Sequence, residues 1–227
     1  MPLDSTPEAR LARARAALEG LSVGDAFGGF YELGHREKAP VYLKMRVLFI
    51  APWHWTDDTN MALSIYSVLR QFQHIDQDKL AHNFALHFDR GRGYGMGARH
   101  LMIQMQAGRN WREIAPQIFK GGSYGNGGAM RVAPLGAYFA DDMQLVVEQA
   151  RLSSQITHSH PEGIAGTIAI AVAAAHASRL RGQPAPGRAE FIDALLPYIP
   201  DSVVKEGCIR ARDLPADLSL YDVVGVL

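Results

Sequence analysis

Apolar residues recur three and four positions apart along most of this chain, and that spacing restricts it to a helical fold. Ser5, Thr6, Pro7 and Glu8 form a helix start, with proline in the first turn and a glutamate three residues after the serine. Leu11, Ala14, Leu18 and Leu21 continue it on one face. Met61, Ile65, Val68, Leu69 and Phe72 repeat the pattern after Asp57 and Asp58. Leu80, Phe84 and Phe88 mark a third helix, Leu101, Met102 and Met105 a fourth, and Trp111, Ile114 and Ile118 a short fifth. Leu145, Val146, Gln149, Leu152 and Ile156 predict a long sixth. Gly163 to Arg181 reads as a buried helix of small residues, and Phe191, Leu195 and Tyr198 suggest one more. Only Val41 to Ile50 looks strand-like, and a single strand cannot make a sheet. The expectation is an all-α protein with residues 1–227 in one domain.

Charge narrows the partners. Lysine plus arginine and aspartate plus glutamate each number 23, which argues against a broad surface for nucleic acid or an anionic membrane. The single cysteine, Cys208, excludes an internal disulfide and a cysteine-based zinc site. The N-terminus has no apolar signal-peptide core. The most apolar stretch, Ile164 to Ala175, is too short to span a bilayer, so a cytoplasmic location is the default expectation.

Glycine gathers in three segments read as loops: Gly24 to Glu32, Gly91 to Gly97, and Gly121 to Gly128. With Trp55 to Asn60 and Thr157 to Pro161, these are where chemistry is expected. Thr56-Asp57-Asp58-Thr59 places four oxygen-bearing side chains at a helix start. That set suits a hard cation such as Mg²⁺, or plain helix capping, for which the same residue types are preferred. The run Gly121 to Gly128 can present backbone N–H groups to a phosphate, with Ser123 and Asn126 as added donors and Tyr124 as a stacking surface; a plain turn is the other reading. It lacks the Gly-Lys-Ser/Thr ending of a P-loop. His158 and His160 have no further ligands at zinc spacing, and a histidine at a helix end is commonly a structural hydrogen-bonding group.

Taken in order, Gly24-Asp25-Ala26-Phe27-Gly28 with Glu32, Thr56-Asp57-Asp58-Thr59, Gly125-Asn126-Gly127 with Met130-Arg131, and Thr157-His158 resemble the ADP-ribosylglycohydrolase family, from about Leu18 onward. The resemblance implies an orthogonal helical bundle with a binuclear Mg²⁺ site. It assigns Thr56, Asp57 and Asp58 as metal ligands. It assigns Gly122, Ser123, Tyr124, Gly125 and Asn126 to ADP-ribose binding, and His158 to the substrate cleft. Arg131 is read as an anchor of the glycine-rich loop. Arg92-Gly93-Tyr94-Gly95 and the run Gly122 to Val132 look like the serine-directed branch, which also degrades poly(ADP-ribose) and O-acetyl-ADP-ribose. In that branch the glutamate of the first motif acts near the metals, which maps onto Glu32 with Asp57 and Asp58 as the catalytic group. Phe119 is a candidate for holding adenine.

The resemblance also implies a second metal segment, Gly-Gly-Asp-x-Asp-Thr/Ser, which this sequence does not contain. Asp213-Leu214-Pro215-Ala216-Asp217 has a different spacing and no following hydroxyl. Family members run to about 300 residues, a length one domain can reach. The expectation is therefore a C-terminally incomplete domain, its end at Val223, Val224, Val226 and Leu227 needing an apolar partner. The expected function is Mg²⁺-dependent cleavage of the ribose C1″ glycosidic bond in ADP-ribosylated protein or polymer. The alternative is an ADP-ribose-binding module that lacks the second metal half-site.

Overall fold

A computed structural model describes residues 3–32, 37–47, 50–215, 218 and 223, with the backbone alone for Glu32 and Leu43. Eleven α-helices follow one another among these residues: α1 Pro7–Glu32, α2 Ala39–Lys44, α3 Asp57–Phe72, α4 Gln77–Leu86, α5 Met96–Gln106, α6 Trp111–Ile114, α7 Ala133–Tyr138, α8 Met143–Gln155, α9 Pro161–Arg179, α10 Arg188–Asp193 and α11 Val203–Asp213. Short 3-10 turns sit at Arg90–Arg92, Ala115–Gln117 and Leu196–Tyr198. The architecture is all-α, with no strand among the described residues, and none of their helices is long and apolar enough to cross a membrane.

The helices start where local chemistry starts them. Asp76 caps α4 by accepting from the Asp78 and Lys79 amides, both at 3.0 Å. Asp142 caps α8 in the same way. His160 caps α9 through Nδ1, which accepts from the Glu162 amide at 3.1 Å, so this histidine is the structural helix-end group its position suggested. The Glu162 carboxylate in turn accepts the Val203 and Val204 amides at 3.1 and 3.2 Å and holds the start of α11.

Packing centres on α9, α7 and α1. Helix α9 lies against α7, α8 and α11, and α1 against α7 and α3. Met61, Ile65, Leu69, Leu80, Phe84, Leu101, Leu135 and Val172 belong to one buried cluster, each such side chain contributing about 1.5–3 kcal/mol on burial. At Gly136 a Cβ would run into the main chain of Ala171, so only glycine lets α7 and α9 approach this closely. Arg10 and Arg13 of α1 both pair with Asp141, and Arg13 Nε also donates to the Ala137 carbonyl at 3.0 Å.

Three local expectations are corrected. Gly24 to Glu32 is not a loop but the last third of α1. Glycine costs a helix about 1 kcal/mol per position. Here Asp25 bonds to α3, and Phe27 packs against Tyr31 and Trp53 at ring distances of 5.2 and 5.5 Å, which offsets that cost. The described part of Val41 to Ile50 does not form a strand: its first part is α2 followed by a turn, Val47 N donating to Tyr42 O at 3.0 Å. β-Branched propensity has no effect without a second strand to pair, and a helical turn satisfies the backbone internally. Helices α7 and α11 add to the expected set. The six residues of α7 are too few to show a period, and α11 sets Val204 and Cys208 one turn apart against the core but among charged residues. Asp217 and four of the five residues 223–227 lie outside the described residues.

Candidate functional site

The acidic segment sits at the N-terminus of α3, held from α1. Thr56 occupies the N-cap position, but its side chain does not cap the helix. Asp25 does this from 31 residues away. Its carboxylate accepts from the Thr56 and Thr59 amides at 2.8 and 3.1 Å and from both threonine hydroxyls at 2.5 Å. An ionised acceptor at a helix N-terminus is favoured both by the orphan N–H groups and by the helix dipole. Gly29 lets this end of α1 lie against Thr56, whose methyl is 3.0 Å from where a Cβ would stand. Thr56, Asp57 and Asp58 are all half-buried in the first turn. Capping of α3 is therefore accounted for by Asp25, which the sequence pattern includes in the first motif without assigning it a role. The only local signal was an aspartate set among glycines.

The Gly91–Gly97 segment lies beside them as a 3-10 turn, a left-handed Gly93 with φ +83°, and the start of α5. Tyr94 is 4% exposed, and burial pushes its phenol up to about 12. Phe119 is 57% exposed and its ring rests on Gly97, so the adenine candidate borders this segment.

The glycine-rich loop is a true loop, entered through positive φ at Phe119, Lys120, Gly121 and Gly122. Its floor is the segment 157–163. At Gly122, with φ +98°, a Cβ would collide with Ser159 and the His160 amide; at Gly127 it would collide with the His158 imidazole. The Ser123 hydroxyl accepts the Gly125 amide at 3.3 Å, and Asn126 O accepts the Met130 amide at 2.9 Å. Tyr124 is 67% exposed, its ring 5.1 Å from that of His160, and Gly125 and Asn126 face solvent while Gly122 and Ser123 are buried. His158 stands behind the loop, 6% exposed, with Nδ1 2.8 Å from the Thr157 hydroxyl. Burial first, and the positive charge of Arg131 second, push its imidazole down to about 3. It is therefore neutral at ordinary pH and supplies shape and hydrogen bonding rather than charge.

Arg131 connects the two halves of the site. Fully buried, it donates from Nη2 to the Ser153 carbonyl at 2.9 Å and lies 4.5 Å from the Phe84 ring centroid. Burial pulls its guanidinium down to about 9, and the charges of Tyr94 and Asp57 act in the opposite direction. It stays cationic at neutral pH and is felt by both Asp57 and His158. Arg131 thus interacts electrostatically with Asp57 at the start of α3 and with His158 beneath the loop. The side chain of Glu32 lies outside what is described, although its backbone ends α1.

Among the described residues no three His, Cys, Asp or Glu side chains cluster as a complete metal site. Two carboxylates and a hydroxyl are hard oxygen donors. They fit Mg²⁺, which commonly takes one or two carboxylates and fills its shell with water and substrate oxygens.

A family model described as ADP-ribosylglycohydrolase matches residues 6–223. This chain belongs to that family. It is 35% identical over 180 residues to ADP-ribosylhydrolase ARH3 of Homo sapiens, covering 72% of this chain and 49% of the relative. To ADP-ribosylhydrolase ARH3 of Xenopus tropicalis it is 35% identical over 209 residues, covering 84% and 56%. An uncharacterized protein of Escherichia coli, YegU, is 30% identical over 182 residues, covering 73% and 54%. The chain spans about half the length of these curated relatives.

Proposed function

We propose that this chain acts in Mg²⁺-dependent cleavage of the ribose C1″ glycosidic bond of ADP-ribosylated acceptors, releasing ADP-ribose. ADP-ribosylserine, poly(ADP-ribose) and O-acetyl-ADP-ribose are the expected substrates. The observation that carries the reading is the hold of Asp25 on the Thr56 and Thr59 amides and hydroxyls, which fixes the start of α3, where Thr56, Asp57 and Asp58 stand side by side. When bound there, Mg²⁺ supplies Lewis acidity and a template for ribose hydroxyls and water. Thr56, Asp57 and Asp58 are the residues that would hold it. Glu32 moves a proton at the scissile oxygen or at the attacking water. The loop Gly122 to Asn126 holds the diphosphate, and this remote binding energy positions C1″ for an oxocarbenium-like transition state. Neutral His158 keeps the loop in shape from behind.

The test is hydrolysis of ADP-ribosylserine and ADP-ribosylarginine peptides with and without Mg²⁺. The expected result is serine-directed turnover that is lost in EDTA and in the double variant Asp57→Asn, Asp58→Asn. Turnover unchanged by either refutes the metal role. The second reading is an ADP-ribose-binding module without turnover. Calorimetric binding of ADP-ribose with no hydrolysis of any of these substrates would select it.

A further inference from the structure

Between α4 and α5 the chain grips the acidic segment on both of its flanks. On one side is Trp55, the residue before Thr56. The Arg92 guanidinium carbon lies 3.5 Å from the centroid of the Trp55 ring, and Arg92 Nη1 donates to the Trp55 carbonyl at 3.0 Å. Arg92 Nε is 3.3 Å from Asp89 Oδ2, and Asp89 Oδ1 accepts the Gly91 amide at 2.9 Å, which fixes the turn that carries Arg92. On the other side is Asn60, two residues after Asp58. Its Nδ2 donates to the His87 carbonyl at 2.8 Å and to the Tyr94 hydroxyl at 3.0 Å, and the Tyr94 ring stands edge-on to Phe88 at 4.8 Å. The Asn60 and Tyr94 side of the grip is buried; the Arg92 and Trp55 side is half-buried.

Arg92 makes a planar stack, a hydrogen bond and an ion pair at once. A guanidinium can do all three together, whereas an ammonium has no plane to lay on the indole. Trp55 is not among the partly buried apolar groups packed on the core, and the Arg92 side chain is 27% exposed. Truncating Arg92 therefore opens no core cavity. What it releases is the backbone that leads into Thr56.

We propose that Arg92 is a positioning residue, acting through Trp55 to hold Thr56, Asp57 and Asp58 in the arrangement that receives a divalent cation. The cation part rests on the function proposed above, while the clamp on the segment stands on the contacts themselves. Residues that orient metal ligands from behind typically change affinity by about 10–100-fold when removed.

The experiment uses the full chain with Mn²⁺ as the probe, titrated by electron paramagnetic resonance. Amide hydrogen exchange over 55–60 is measured without metal. The expected results for Arg92→Ala are Mn²⁺ affinity weakened about tenfold, at the low end of that range, and faster exchange at 55–60, with the thermal midpoint nearly unchanged. Trp55→Phe keeps a ring to stack on and stays near wild type. Arg92→Lys is the second variant should Arg92→Ala fold poorly, and it behaves like the loss of Arg92. Mn²⁺ affinity equal to wild type in Arg92→Ala, or full recovery in Arg92→Lys, overturns the proposal. If the wild type binds no Mn²⁺, the cation reading falls by itself and exchange alone judges the clamp: faster exchange at 55–60 in Arg92→Ala sustains it, and unchanged exchange overturns it.

Discussion

Acid should unfold this protein in part through one histidine. His158 is buried beneath Gly127 beside a buried guanidinium, which pushes its imidazole from 6.5 in the unfolded chain down to about 3. Between those values the unfolded chain binds a proton that the folded chain does not. Stability therefore rises with pH through this window, and the contribution is lost as pH falls from about 6.5 toward about 3. From about pH 7.5 to about pH 5 the loss amounts to ~2 kcal/mol. For a chain of this size that is about 4–8 °C in thermal midpoint. The reference is His158→Asn, which keeps a polar group toward Thr157 and has no proton to gain. It will be less stable at every pH because it leaves space under the loop, so the comparison is of slopes. Urea unfolding at the two pH values, with equal m-values, should show the wild type losing ~2 kcal/mol more than the variant. Other acid-sensitive groups are common to both proteins and cancel. Equal losses in wild type and variant would refute a neutral, buried His158.

Asp25→Ala removes the acceptor of four hydrogen bonds and leaves the Thr56 and Thr59 amides without it; it should cost about 3–4 kcal/mol by urea unfolding, with Asp25→Asn intermediate. Gly136→Ala should cost about 2–3 kcal/mol, because its methyl would separate α7 from α9; a neutral result would mean the helices can part without loss. Gly127→Ala drives a methyl into the His158 ring, so ADP-ribose affinity by calorimetry should fall about tenfold, which is ~1.4 kcal/mol, with helical content by circular dichroism unchanged. Arg131→Ala should destabilise by about 3–5 kcal/mol through the loss of a large buried side chain, and wild-type stability in that variant would contradict its place in the core.

Much of the helical framework was legible along the chain, because helical periodicity and capping are properties of neighbouring residues. Pro7 begins α1, the Met61 to Phe72 face becomes α3, and Leu145 to Ile156 becomes α8, each as spacing predicts. The glycine-rich run 121–128 also reads correctly as a loop, since its positive-φ glycines cannot be replaced cheaply. Membership in the family was carried by four short motifs in order, and the family model agrees over residues 6–223. What the local pattern got wrong is where contacts from afar outweigh propensity. Gly24 to Glu32 is helical because Asp25 and Phe27 are held by α3 and Trp53. The described part of Val41 to Ile50 has no strand to pair with among the described residues. The capping role of Asp25, the neutrality of His158 and the stack of Arg92 on Trp55 join residues that are far apart in sequence or depend on burial. Composition and spacing carry no information about burial depth or about which distant donor an acceptor meets. The chain's residue order therefore determined most of its helices and its family, while tertiary packing alone decided which carboxylate caps, which histidine stays uncharged and what holds the acidic segment in place.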